Sequence, residues 1–166
     1  MNDAISETEL VLERHLDAPR AAVWRCWIEA DLLEQWFCPK PWRVTDAKID
    51  PRPGGRFDTV MNGPDGETVP NRGQFVEVEP GHRLVFTDAF VGDWQPGSGA
   101  PFMAASVTFT DAPGGGTLYR ASVRHWSVEA RERHDAMGFH QGWGLAADQL
   151  ETLAREIAGR AGKVAS

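Results

Sequence analysis

Residues 137–144 read MGFHQGWG and open an amphipathic stretch that runs to about residue 158. Three glycines, Gly138, Gly142 and Gly144, surround Phe139, His140 and Trp143. A glycine inside a helix costs about 1 kcal/mol relative to alanine. A helix that begins this way is therefore shaped by something other than helix propensity. Beyond it, Phe139, Trp143, Ala146, Ala147, Leu150, Leu153, Ala154 and Ile157 recur at helical spacing. That spacing predicts a long C-terminal helix over 139–158 with one continuous apolar stripe, long enough to lie across a sheet. The glycines would let backbone approach the sheet or leave volume unfilled at the helix start. The plainer alternative is that they only kink the helix and that Trp143 is an ordinary core residue.

Working back toward the amino terminus, residues 9–16 (ELVLERHL) alternate loosely and predict a strand. DAPRAAVWRCWIEA follows and predicts a helix, with Pro19 in its first turn. A second short helix, LLEQWF, is expected to start at a capping box formed by Asp31 and Glu34 and to stop at Cys38-Pro39. From there to residue 126 the chain predicts six strands joined by turns such as PRPGG, GPDG and PGHR, antiparallel because most connections are short. Alternation puts Tyr119, Ala121, Val123 and His125 on one strand face. Met103, Ala105, Val107 and Phe109 share a second such face, and Leu84, Phe86 and Asp88 a third. The strand at 72–78 is mixed on both faces, and its orientation stays open.

Composition narrows the function classes. The chain has 166 residues, 42% of them hydrophobic, which suits one folded domain, expected over 9–158 with 1–8 and 159–166 as flexible termini. A net charge of -7 argues against nucleic acid or an anionic membrane surface as partner. No secretory signal and no membrane-length apolar run are visible, so a cytoplasmic protein is expected, with Cys26 and Cys38 as free thiols. Seven tryptophans and eight phenylalanines exceed what plain packing needs, which points to an aromatic-lined space.

Strand, two short helices, an antiparallel run and a long C-terminal helix is the element order of an α+β helix-grip (START-like) fold. In that fold a curved antiparallel sheet wraps around the C-terminal helix. The segments DAPRAAVW, LLEQWF, DPRPGGRFD with GPDG, RLVFTDAF, and RHW followed by MGFHQGWG resemble the family related to the activator of Hsp90 ATPase. The resemblance covers about residues 9 to 158 and implies an apolar cavity between sheet and helix.

No HExxH, CxxC or GxSxG pattern occurs, and the glycine-rich turns lack the Lys-Ser/Thr of a phosphate loop, so no metal, cofactor or nucleophile set is expected. Trp36, Phe57, Phe86, Phe90, Met103, Tyr119, Trp126, Met137 and Trp143 are expected to converge on one pocket. Asp88, His125 and His140 are its candidate polar residues, for orienting a ligand or moving a proton. Taken singly, each has a structural alternative: His125 satisfying a backbone carbonyl, Asp88 capping the following loop. That loop, 89–102, carries Phe90, Trp94 and Phe102 and is long enough to be a lid.

Three functions follow as expectations. The first is a binder of a small hydrophobic or aromatic ligand. The second, implied by the resemblance, is a protein-interaction module for a chaperone or another protein. The third is a cyclase- or hydrolase-type enzyme using the same cavity. A homodimer is left open. Fold alone does not choose among them, and the missing nucleophile favours binding.

Overall fold

The computed structural model describes residues 6–165, with side chains to residue 160. Residues 1–5 of the expected flexible amino terminus, and Ser166, lie outside the described residues. The elements run β1 (Glu9–Leu16), α1 (Arg20–Ile28), α2 (Ala30–Leu33), β2 (Arg43–Ile49), β3 (Phe57–Asn62), β4 (Thr68–Asn71), β5 (Gln74–Glu79), β6 (Arg83–Thr87), β7 (Ala104–Asp111), β8 (Thr117–Arg124), α3 (Val128–Ala136) and α4 (Phe139–Ala165). The architecture is α+β, with curved antiparallel sheets, a long C-terminal helix and two short helices after the first strand. Among the described residues, no helix is long and apolar enough to cross a membrane.

Five strands pair in the order β1-β8-β7-β6-β5, and three in the order β2-β3-β4. The two sheets meet where only Arg72 and Gly73 separate β4 from β5. There Phe57 N–H donates to the Gly73 carbonyl at 2.9 Å, and Phe75 N–H to the Gly55 carbonyl at 2.8 Å. The single strand expected at 72–78 is thus part of a longer strand, β4 to β5, broken at Arg72–Gly73. A Cβ on Gly73 would lie 2.7 Å from the Thr87 carbonyl oxygen, so only glycine allows the chain this close at the break. A bulge between Phe75 and Glu77 shifts the register of β5 against β6. Its alternation reads as mixed for a second reason. Gln74 and Phe75, in regular register with Thr87 and Phe86, are both fully buried. Gln74, on the opposite face, lies under the loop whose Gly92 and Trp94 N–H groups it accepts.

The expected inward faces are buried. Tyr119, Ala121 and Val123 of β8 and Ala105, Val107 and Phe109 of β7 enter one core with Leu84 and Phe86. Into the same core α4 sends Phe139, Ala146, Ala147, Leu150, Leu153, Ala154 and Ile157. It also packs against α1 and β1.

Three local expectations change. Pro19 is the N-cap of α1 rather than part of its first turn. Asp31 lies inside α2, whose N-cap is Glu29, and no side chain caps it. Glu34 instead accepts the Ala47 N–H at 3.0 Å, so the capping-box pattern serves a tertiary contact. Third, α3 was not expected as a helix: its arginines and glutamates give no apolar stripe. Ser127 caps it by accepting the Ala130 N–H at 3.1 Å. Gly138, at φ +95°, then turns the chain from α3 into α4, which continues past 158 to Ala165.

Candidate functional site

The remaining glycines of the opening stretch have different tasks. At Gly144 a Cβ would come within 2.5 Å of the Arg14 guanidinium, so this glycine admits a side chain of β1. At Gly142 a Cβ would meet only Pro39, at 3.9 Å. Gly142 faces a hollow of about 500 Å³ between the start of α4, the sheets and the chain after α2. Unfilled volume at the helix start is therefore real, and it sits beside Gly142.

Trp27, Phe57, Phe86, Tyr119 and Phe139, all buried, form its deep part. Phe57 and Phe86 are stacked, with ring centroids 4.5 Å apart and planes 2° from parallel. Trp36 and Trp27 meet edge to face at 5.0 Å, and the Trp36 indole N–H donates to the Cys26 carbonyl at 2.9 Å. Met61, Met103, Phe102 and Trp143 add flexible and aromatic wall. Val69, Asn71, Arg72 and Met137 are exposed and mark the mouth.

The structure brings together Trp36, Phe57, Phe86, Asp88, Met103, Tyr119, Met137 and Trp143 from the expected set. It does not bring in Phe90, Trp126 or His140. Trp126 is 57% exposed, because inward His125 puts the next residue on the opposite side. His140 is exposed on α4, edge-on to Phe139 at 5.0 Å. Phe90 packs on Trp94 at 5.6 Å inside its own loop.

That loop is not a free lid. Buried Gln74 accepts the N–H groups of Gly92 and Trp94 at 3.2 and 2.9 Å, and the Asp93 N–H donates to the Gly54 carbonyl at 2.8 Å. At its other end, Asp88 accepts the N–H of Phe102 at 2.8 Å and of Met103 at 3.1 Å. Asp88 therefore holds Phe102 and Met103 at the wall, with both carboxylate oxygens engaged.

His125 stands one step behind the wall. Its Nδ1 is 2.8 Å from the Thr8 carbonyl, and its Nε2 is 2.9 Å from Nδ1 of His134, which does line the hollow. Since a carbonyl only accepts, His125 carries a proton on Nδ1 and donates it to Thr8, and a single proton is shared between its Nε2 and His134 Nδ1. Burial first, and then neighbouring His125, lower His134 to about 4, with Asp135 working the other way. The ring is therefore neutral at pH 7.

Sequence reasoning does not find His134, because nothing in residues 128–136 reads as a buried face. It also misses Trp27 and Phe37 as lining residues, whereas it reads Phe139 as wall at the helix start and Phe102 as part of a lid. Gln149 gave no signal at all. Its amide donates to the carbonyls of Trp36 at 3.0 Å and Cys38 at 2.7 Å and accepts the Lys40 N–H at 3.0 Å, tying the wall segment to α4. Among the described residues, no group of three or more His, Cys, Asp or Glu could hold a metal ion.

Comparison with known proteins agrees with this architecture. The family model described as Activator of Hsp90 ATPase homolog 1-like protein matches residues 17–155. A solved structure from Nitrosomonas europaea is 40% identical, covers 94% of this chain and 99% of its own, and superposes with a TM-score of 0.89. A protein of Mycobacterium smegmatis is 28% identical over 92% of this chain and 93% of its own, with a TM-score of 0.74. An AHSA1-like protein of Aeromonas hydrophila is 25% identical over 91% and 94%, with a TM-score of 0.68. Among curated proteins none matches the chain. On the family match, the 40% relative and the shared fold, the chain belongs to the Activator of Hsp90 ATPase homolog 1-like family, within the START-like (helix-grip) superfamily.

Proposed function

We propose that this protein binds a small, largely apolar ligand, aromatic or otherwise hydrophobic, in the hollow between the sheets and the start of α4. The observation that carries the reading is the hollow itself. About 500 Å³ is a volume typical of small-molecule sites, and its lining is dominated by Phe, Trp and Met with a few polar groups. Methionines such as Met61 and Met103 suit a wall that adapts to its occupant. The stacked Phe57–Phe86 pair offers a flat aromatic surface against which a ring can lie. The reading makes the protein a carrier or sensor rather than an enzyme. Its polar groups are already committed to holding the wall, as Asp88 does, or are neutral, as His134 is.

The test uses N-phenylnaphthylamine, an uncharged fluorescent aromatic, titrated into the full chain and into Gly142→Leu. The leucine side chain enters open space and replaces a helical glycine, so the variant should fold at least as stably as wild type. Saturable one-to-one binding by wild type, weakened at least tenfold in Gly142→Leu, is the expected result. Equal binding by both proteins, or none by the wild type, would contradict the reading.

A further inference from the structure

We infer that Nε2 of His134 is a hydrogen-bond acceptor in the wall of the hollow, selecting apolar ligands that carry a hydroxyl group, a phenol above all. The inference rests on the ligand-binding reading above and adds the chemistry of what is bound. It follows from counting protons on the two joined rings. His125 Nδ1 holds one proton, because it faces the Thr8 carbonyl at 2.8 Å and a carbonyl only accepts. A second proton lies between His125 Nε2 and His134 Nδ1, since two bare ring nitrogens would repel at a separation of 2.9 Å. An uncharged pair of imidazoles carries two protons in all, and both are now placed. His134 Nε2 is left with a lone pair, wherever the shared proton sits along its bond.

That lone pair has no donor among the described residues. His134 is buried and lines the hollow, its ring 4.7 Å from Phe102 and 5.2 Å from Phe139, which line it too. Among the described residues, the side-chain nitrogen or oxygen atoms that are fully enclosed and unpaired belong to Trp27, Asp58 and Arg131. His134 Nε2 is not one of them, so it keeps open surface for a partner. Neighbouring polar groups of the wall show the contrast. The Thr87 hydroxyl donates to the Met103 carbonyl at 2.9 Å and accepts the Ala89 N–H at 3.1 Å. Asp88 is filled by the N–H groups of Phe102 and Met103.

The charge and polarity of the ligand group follow. A carbonyl or carboxylate oxygen at this place would set lone pairs against a lone pair. An ammonium could donate, but in a buried site it loses hydration that only a well-placed anion offsets. The carboxylate on the wall, Asp88, already has both oxygens engaged. An uncharged hydroxyl on an aromatic or aliphatic body donates without that penalty.

The experiment compares two probes of nearly equal shape, 2-naphthol and 2-methylnaphthalene, by displacement of N-phenylnaphthylamine at about pH 8, above the ordinary histidine range. His134→Asn is the variant, since its amide occupies the place of Nδ1, keeps a partner for His125 and removes Nε2. It is expected to weaken 2-naphthol roughly tenfold, the worth of one hydrogen bond, while changing the hydrocarbon less than twofold. A second measurement needs only the wild type: histidine nitrogen NMR should show Nε2 of His134 as an unprotonated nitrogen whose signal moves with 2-naphthol and not with 2-methylnaphthalene. Equal weakening of both probes or of neither, a protonated Nε2 in the free protein, or a signal that 2-naphthol leaves in place would each overturn the acceptor site. In all three cases N-phenylnaphthylamine binding, and with it the ligand-binding reading, would still stand. Failure of the wild type to bind N-phenylnaphthylamine and both probes would overturn the two together.

Discussion

His134 Nδ1 lies 2.9 Å from His125 Nε2, and His125 Nδ1 donates to the Thr8 carbonyl at 2.8 Å, so two hydrogen-bonded rings tie α3 to the residue preceding β1. The carbonyl accepts only, which fixes a proton on His125 Nδ1. The pair also explains why His134, on a helix otherwise covered with charge, is buried against Phe102 and Phe139.

The first prediction concerns pH. His134 sits at about 4 in the folded protein, whereas an unfolded histidine titrates near 6.5. Below pH 6.5 the unfolded chain takes up a proton here that the folded chain does not. The stabilisation is therefore complete above pH 6.5 and drains away as pH falls through 4. Between pH 7 and pH 4.5, wild type should lose about 2 kcal/mol more than His134→Gln, at 1.36 kcal/mol per unit. Urea unfolding at the two pH values measures this. Equal losses in the two proteins would remove the pair from the account.

Asp88 supplies the second prediction. Its carboxylate holds the N–H groups of Phe102 and Met103, so Asp88→Ala leaves two partly buried donors without partners. A cost of about 1 to 3 kcal/mol is expected. Asp88→Asn keeps one acceptor oxygen and should cost less. Because Phe102 and Met103 are wall residues, N-phenylnaphthylamine affinity should fall in the same order. Unchanged stability in Asp88→Ala would show that the loop end is held by something else.

The thiols give the third. Cys26 and Cys38 are both free and buried. Burial pushes the Cys26 thiol up to about 12 and the Cys38 thiol up to about 11. Both are thus protonated and unreactive at pH 7. An aromatic disulfide reagent should find almost no fast-reacting thiol in the native protein and two in the denatured, unreduced chain. Fewer than two after denaturation would mean a bond between them. A fast native reaction at Cys38 would mean that the wall segment opens.

Much of this fold was legible in the sequence because its signals are local and periodic. The stripe from Phe139 to Ile157, the two-residue alternation of β7 and β8, and the glycine turns each follow from a short-range rule. The broken strand at Arg72–Gly73 was not legible, since alternation anticipates neither the bulge after Phe75 nor the burial of adjacent Gln74, which lies under the distant loop at Gly92 and Trp94. The apolar wall was legible at Phe57, Phe86 and Tyr119 on strands and at Met103 just before β7, but not at Met61 of β3 or Val69 of β4. It was misread at Phe90, which sits in a loop, and at Trp126, which follows the end of β8. His134 and Gln149 were invisible for a shared reason. Each is a polar residue whose burial or bonding depends on a partner distant in the chain, His125 beyond one helix turn and Trp36 more than a hundred residues away.

The central claim, that the hollow takes a small apolar ligand, is tested most directly by methyl NMR on methionine-labelled protein. Met61, Met103 and Met137 line the hollow from three separate segments, β3, the chain just before β7, and the α3–α4 turn. On titration with N-phenylnaphthylamine, all three methyl signals should shift together and saturate with a single dissociation constant at one ligand per chain. Signals that stay still while the dye binds, or that move with different midpoints, would place binding elsewhere and contradict the account.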